Sequence, residues 1–513
     1  MGRPQRPLRP AVTVPAALLA GVAQTFSFAP FEAWWLQIVA LAVLVGVAAG
    51  APPRHAAGLG WLFGVGWLVS GLWWLYISMH DFGGMPAWLA ALAVLALSAA
   101  LALYYAAALA LWAWLRRGRV LPDALGFAAC WLLADLARAT LFSGFPWIAT
   151  GYAHSVGPLV AWAPWIGVYG LGALAALLAA ALALAIRAGT VRAALAPALV
   201  GAVVVAVPMA LRDGFTEPTG ELTVSLLQPN VAQDLKFDPS RIDANLQALV
   251  RRTADARGAL VVTPESVIPF TRAELGPAYW DALLKPFAQP GRGLLIGMFL
   301  GDAEAGFVNS VIGIAGAAPG SEYHYGKRHL LPFGEYVPPG FRWFVDLLAI
   351  PLGDQAQGRQ RGAFALGGQR LRPLICYEDL FGEDIVDSVV GPTPATVFVN
   401  VSNLAWFGPW LVQDQHLQFS QMRALEFQRP VIRSTNTGAT AVVDHRGRVT
   451  ARLPALTEGT LEATVEGRQG ETPYARWLAA EGLWPLAAVA AVVLLTVGRR
   501  PRAPGRRGAR PVN

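Results

Sequence analysis

The chain has 513 residues, of which 55% are hydrophobic and only 14% charged, and its mean hydropathy is +0.44. Charge this sparse excludes an ordinary soluble protein and points to a membrane protein of more than one domain. The net charge of +7 follows the arginines that flank the apolar runs, so it reads as a topology signal and not as a nucleic-acid surface.

Stretches of about 20 apolar residues can cross a bilayer. Eight are expected, at roughly 11–28, 33–50, 56–79, 86–115, 121–142, 159–186, 193–211 and 481–498. The fourth is long enough to tilt or to reach past the bilayer. The first follows MGRPQRPLRP as the core of a signal peptide would, but no cleavage site precedes the next run, so it is read as an anchor.

Arginine orients these spans. Arg3, Arg6 and Arg9 precede the first, Arg54 follows the second, Arg116, Arg117 and Arg119 the fourth, and Arg187 and Arg192 the sixth. A basic tail occupies 499–513, while the loops near 29–32, 80–85 and 143–158 hold no Lys or Arg. Both termini are therefore expected in the cytoplasm, and residues 213–477 on the outer face. The expected organisation is a membrane domain over 1–211 with seven spans, a soluble insert over 213–477, and an eighth span at 481–498.

Two charges fall inside the fifth span. Asp135 and Arg138 stand three residues apart, which favours pairing on one helix face; contact between Arg138 and a lipid phosphate is the alternative.

The insert alternates strand-like and helix-like segments, the mark of an α/β layered domain. ELTVSLLQ from 221, GALVVTPES from 258, GLLIGMFL from 293, FVNSVIGIAG from 307, RPLICYE from 372 and ATVFVNVSN from 395 read as strands. Residues 241–256 and 412–429 read as helices, and 430–449 as a strand followed by a hairpin turning at Asp444–Gly447. Reactive groups gather where α/β sheets place chemistry, at the carboxyl ends of strands. Glu265 follows LVVTP, Lys327 follows SEYHYG, and Cys376 closes RPLI.

Cys376 is one of two cysteines, and Cys130 lies in the fifth span, too far away to bridge to it. On spacing alone a buried apolar filler and a nucleophile both stay open. A carboxylate could take the thiol's proton and a lysine could stabilise an oxyanion, so the three residue types fit acyl transfer. A cysteine–histidine arrangement would draw on His324, His329, His416 or His445, none of which has a local signature. No His, Cys or carboxylate spacing suggests a metal.

TPES from 263, YHYGKRHLLPFGEYVP from 323 and ICYEDLF from 375 resemble, in this order, the nitrilase-type hydrolases with their Glu–Lys–Cys triad. The spans around them, GFPW from 144 and TPYARW from 472 narrow the resemblance to the apolipoprotein N-acyltransferase family. That resemblance implies a polytopic helical membrane domain carrying a nitrilase-like αββα sandwich. It implies Glu265 as general base, Lys327 as the oxyanion-stabilising lysine and Cys376 as nucleophile. Glu335, Tyr377 and Glu378 match further positions that the family's activity needs. At 236-KFD a tryptophan is expected in some members, and here Phe237 stands.

The implied reaction is ping-pong. Cys376 takes an acyl chain from a membrane phospholipid, expected to be phosphatidylethanolamine, and passes it to the N-terminal amine of a diacylglyceryl-cysteine lipoprotein. The expected enzyme is a monomer of the bacterial inner membrane, with its catalytic domain in the periplasm and no cofactor. Lipid access is expected at FRWFVDLLAIPLG from 341, which includes Trp343, and at NLAWFGPW from 403, which includes Trp406. Two rivals are a membrane-anchored nitrilase-like amidase acting on a small amide, and a transporter with an outer regulatory domain. The amidase has no use for seven upstream spans, and the transporter would need more polar ones.

Overall fold

The computed structural model describes residues 9–210, 214–236, 238–302, 304, 306–316, 322–342, 354–360 and 362–498. Phe237, Trp343 with the rest of its apolar stretch to 353, and the basic tail lie outside the described residues.

Each expected span has its helix. Six are long and apolar enough to cross a bilayer: Pro10–Ser27, Pro53–Leu72, Ala87–Leu115, Val120–Ser143, Pro158–Ala188 and Val191–Ala210. Trp34–Ala48 is shorter, at 15 residues. The last expected span falls on the second arm of a helix pair, Pro473–Glu481 and Trp484–Gly498, bent by 89°. Apolar residues cover these helices on all sides, as burial in a bundle and contact with lipid both require.

The insert folds as two six-stranded sheets packed face to face. The first contains β1 (Thr216–Gln228), β2 (Leu260–Val262), β3 (Gly293–Asp302), β4 (Gly306–Ala315), β5 (Tyr323–Gly326) and β12 (Gly459–Gly470), in the order β12-β1-β2-β3-β4-β5. The second contains β6 (Phe364–Leu366), β7 (Gln369–Ile375), β8 (Val397–Ser402), β9 (Val431–Thr435), β10 (Ala441–Val443) and β11 (Val449–Arg452), ordered β11-β10-β9-β8-β7-β6. Between them lies an apolar core of Val224, Leu226, Val262, Leu295 and Val311 against Leu371, Ile375, Val399, Val401 and Ile432. Helices Pro239–Asp255 and Pro277–Leu284 cover the outer face of the first sheet through Leu249, Trp280 and Leu283. The expected αββα sandwich is present. Strand β12, which the sequence reading passed over, pairs antiparallel with β1 along its length.

Helix Val412–Phe427 forms the fourth layer and is also the seam with the membrane helices. Leu417, Ala424 and Phe427 face the second sheet, while Phe419, Met422 and Leu425 join the membrane-domain core beside Trp147 and Tyr152. Its polar residues are buried too, and Gln415, Gln418 and Glu426 are partnered from the membrane side. The Gln415 amide oxygen accepts from the indoles of Trp147 (2.8 Å) and Trp74 (3.2 Å). Gln418 accepts from the Ala29 amide at 3.2 Å and donates to Ser155 at 3.1 Å. Gly167, at φ +64°, breaks the helix Ala163–Ala188, and the neighbouring Val168 N–H donates to Glu426 at 2.7 Å. A buried polar seam satisfied in this way specifies one docking geometry.

Candidate active site

Three strand ends converge. Glu265 lies in the turn after β2, and that turn rests on Gly297 of β3, where a Cβ would stand 2.3 Å from the Pro264 carbonyl oxygen. The closeness requires glycine and holds the glutamate in place. One Glu265 oxygen accepts from Asn309 Nδ2 at 2.7 Å, and the other from the Asn403 backbone N–H at 2.9 Å.

Lys327 follows β5 and is buried. Its Nζ donates to Glu335 at 2.7 Å and stands 3.6 Å from Glu265. Burial alone would push this ammonium down, but Glu335, Glu265 and Cys376 together hold it above the ordinary lysine range. Glu335 also accepts from Asn309 Nδ2 at 3.3 Å and from the Leu331 N–H at 2.8 Å. One lysine and one asparagine amide therefore bridge two buried carboxylates.

Cys376 ends β7 with φ +51°, a left-handed turn that few non-glycine residues adopt and that functional positions often hold. The residue is half-buried. Removal from water first, and then the charge of Glu265, push its thiol upward, with Lys327 opposing. At neutral pH the resting group is the thiol, and of the two carboxylates acting on it Glu265 opposes the thiolate more than Glu335 does.

Behind the cysteine, Glu378 accepts from the Ile375 N–H (2.7 Å), the Tyr325 hydroxyl (2.8 Å) and the Arg328 N–H (2.7 Å). It ties the strand end to the segment that carries Lys327. Tyr377 points the other way, donating to the Gly144 carbonyl of the membrane domain at 3.0 Å. His329 and Tyr336 bond to Ser143 in the same loop, at 3.1 and 2.7 Å.

Arg138 is buried and donates from Nη1 to the carbonyls of Phe145 (3.1 Å) and Trp147 (2.9 Å), with its guanidinium over Trp67. The pairing expected with Asp135 is not found among the described residues. Asp135 instead accepts from Tyr105 at 2.7 Å and from Thr150 at 2.5 Å. Each side chain is bonded to other partners in the bundle and the following loop. Trp406 and Trp410 are exposed and pack against Phe82 and Trp73, while Phe407 is turned inward onto Trp74.

Sequence reasoning missed Asn309 and the Asn403 amide. His416 is buried near the Cys376 backbone, yet its Nδ1 accepts from Arg433 at 2.8 Å, and burial followed by Arg433 pushes it far below the usual histidine range. It cannot serve as the base. Among the described residues no group of three His, Cys, Asp or Glu could hold a metal.

Two sheets facing each other, with a carboxylate, a lysine and a cysteine at their strand ends, define a carbon–nitrogen hydrolase type of domain, here joined to membrane helices. Residues 223–474 match the carbon–nitrogen hydrolase model, and 20–181 match that of the apolipoprotein N-acyltransferase N-terminal domain. The apolipoprotein N-acyltransferase of Ralstonia nicotianae is 46% identical over 497 residues, covering 95% of this chain and 94% of that one. That of Verminephrobacter eiseniae is 46% identical, covering 92% and 93%, and that of Bordetella bronchiseptica 41%, covering 96% and 99%. The chain belongs to the apolipoprotein N-acyltransferase family. Its apolar helices and bacterial relatives make it a bacterial membrane protein.

Proposed function

We propose that this enzyme moves a fatty acyl chain from a membrane phospholipid, with phosphatidylethanolamine as donor, to the N-terminal α-amine of a diacylglyceryl-cysteine lipoprotein. The observation that carries this reading is the Glu265–Lys327–Cys376 cluster, joined through Tyr377 to a loop of the membrane domain. Glu265 takes the Cys376 proton as sulfur attacks the sn-1 ester carbonyl. Lys327 stabilises the oxyanion. Collapse breaks the acyl C–O bond, and Glu265 returns the proton to the departing lysophospholipid. In the second half the lipoprotein amine, deprotonated by Glu265, attacks the thioester, and an amide forms as Cys376 leaves as a thiol.

The arginine pattern supports a periplasmic catalytic domain and cytoplasmic termini. The enzyme works as a monomer on this reading, because one chain supplies the whole cluster. The amidase alternative is disfavoured, since the family relatives match across the membrane helices as well as the catalytic domain.

Intact-mass measurement after incubation with phosphatidylethanolamine tests the proposal. A fatty-acyl gain that hydroxylamine removes, and that Cys376→Ala lacks, is expected. Folded enzyme that acylates a lipoprotein acceptor yet never shows the adduct would overturn the thioester route.

A further inference from the structure

Arg433 sits on β9 beneath helix Val412–Phe427, fully buried. Its neighbours Ile432 and Ser434 face the space between the sheets, so strand alternation sends the guanidinium outward into the seam. There it is gripped on every side. Nη1 donates to Asp379 at 2.9 Å, to the Ser420 hydroxyl and to the His416 carbonyl at 3.4 Å. Nη2 donates to His416 Nδ1 at 2.8 Å, and Nε to the Ala439 carbonyl at 3.3 Å. Ser420 also donates to Asp379.

Asp379 lies in the short turn Cys376–Leu380 that the nucleophile opens. The Arg433–Asp379 pair therefore anchors the far end of the turn whose near end is the left-handed Cys376. His416 accepts from the guanidinium on Nδ1, so its own proton stands on Nε2. Arg433 thus reaches the cysteine's turn through Asp379.

We propose that Arg433 is a positioning residue for Cys376, holding the nucleophile's turn through Asp379 and placing a second positive charge behind that turn. The other charges acting on that sulfur are Glu265 and Glu335, which disfavour the thiolate, and Lys327, which favours it. Arg433 itself feels Asp379 and the more distant Arg452, and burial brings it down to about 10. Asp379 is the counter-charge to Arg433, so removing either one changes the charge behind the cysteine's turn in the opposite sense.

The inference rests on reading Cys376 as the acyl carrier, but its test reads the thiol with no acyl substrate present. Its failure would leave that reading standing. The full-length enzyme in detergent, carrying Cys130→Ala, is alkylated with iodoacetamide across a pH series, and the midpoint of the rate is compared among variants. Arg433→Gln is expected to raise the midpoint by about one unit or more. Arg433→Lys keeps the charge without the fork, so its midpoint should stay within about half a unit of wild type. Acyl-enzyme formation in that variant should nonetheless slow by about fivefold or more, with little change in KM. Asp379→Asn removes the counter-charge and should lower the midpoint. A purely architectural arginine would move all three variants in the same direction. That outcome, or an unmoved midpoint in folded Arg433→Gln, overturns the proposal. If Arg433→Gln does not fold, the opposite behaviour of Arg433→Lys and Asp379→Asn still decides it.

Discussion

Tyr377, the residue after the nucleophile, donates its hydroxyl to the carbonyl of Gly144 at 3.0 Å, across 233 positions of chain. The bond fastens the turn that Cys376 opens to a loop of the membrane domain. His329 and Tyr336 hold the preceding residue, so three catalytic-domain side chains bond to Ser143 and Gly144. Tyr377→Phe removes one buried hydrogen bond and leaves the ring, which lies against Phe145 and Phe381. Acyl transfer should fall about tenfold while stability drops by only about 1 kcal/mol. Initial rates and thermal unfolding of the purified variant measure the two effects separately.

Lys327→Met should be far more damaging. The lysine is the cation bonded to Glu335 and near Glu265, and without it two carboxylates share a buried site. The expected cost is about 3–5 kcal/mol, and no acyl adduct should form. Lys327→Met combined with Glu335→Gln should regain stability and stay inactive. A double variant that recovers activity would remove the lysine from the oxyanion role.

Glu378→Gln tests the link between the cysteine strand and the lysine segment. Its carboxylate accepts from Ile375, Tyr325 and Arg328, and an amide has only one oxygen to offer. A loss of about 2 kcal/mol is expected, with acyl-enzyme formation slowed more than phospholipid binding. Single-turnover kinetics separate the two.

Stability should also depend on pH through Glu383. Burial raises its carboxyl to about 7; the residue is partly exposed, but Oε2 is shut off from water. A carboxyl whose folded pKa lies above its unfolded one takes up a proton on folding. Its contribution is full below the unfolded value near 4.3, and is lost as pH rises through 7. Glu426, also raised to about 7 by burial, acts with the same sign. Melting temperature should therefore fall between pH 5 and 8. Glu383→Gln should flatten that fall and add about 2 kcal/mol at pH 8. An unchanged slope in the variant would contradict the assignment.

Arg138→Lys keeps a charge but cannot reach both the Phe145 and Trp147 carbonyls from a planar fork. The loop that receives Tyr377 should loosen. Faster proteolysis between 141 and 147 is expected, together with a drop in activity of several fold. Equal protection in both proteins would show that the loop is held from the catalytic side alone.

Much of this architecture was legible because its signals are local. Apolar runs mark the membrane helices, and the strands carrying Glu265, Lys327 and Cys376 end at those residues. What escaped depends on pairing between distant segments. Asn309 looks like any polar residue in β4 until β5 and the turn after β2 bring Lys327 and Glu265 alongside it. The spacing of Asp135 and Arg138 suggests a pair, yet Tyr105, Thr150 and two loop carbonyls capture them separately. Strand β12 did carry a readable alternation, with Leu461, Ala463 and Val465 between Glu462, Thr464 and Glu466. The helix Val412–Phe427 was legible as a helix, but its sequence shows polarity and not which surface supplies partners such as Trp147 and Ala29.

That helix bears on how the molecule is made. Residues up to 210 leave the ribosome and enter the bilayer long before residue 412 exists. During that interval the Trp147 indole, the Ala29 amide and the Val168 N–H beside Gly167 face outward without the groups they will bond. Each is polar, so each can be hydrated while it waits. An apolar seam would instead leave a sticky surface on a half-made chain. By joining its halves with amides and carboxylates, the protein keeps its first-made part soluble at the membrane surface until the last-made part arrives to cover it.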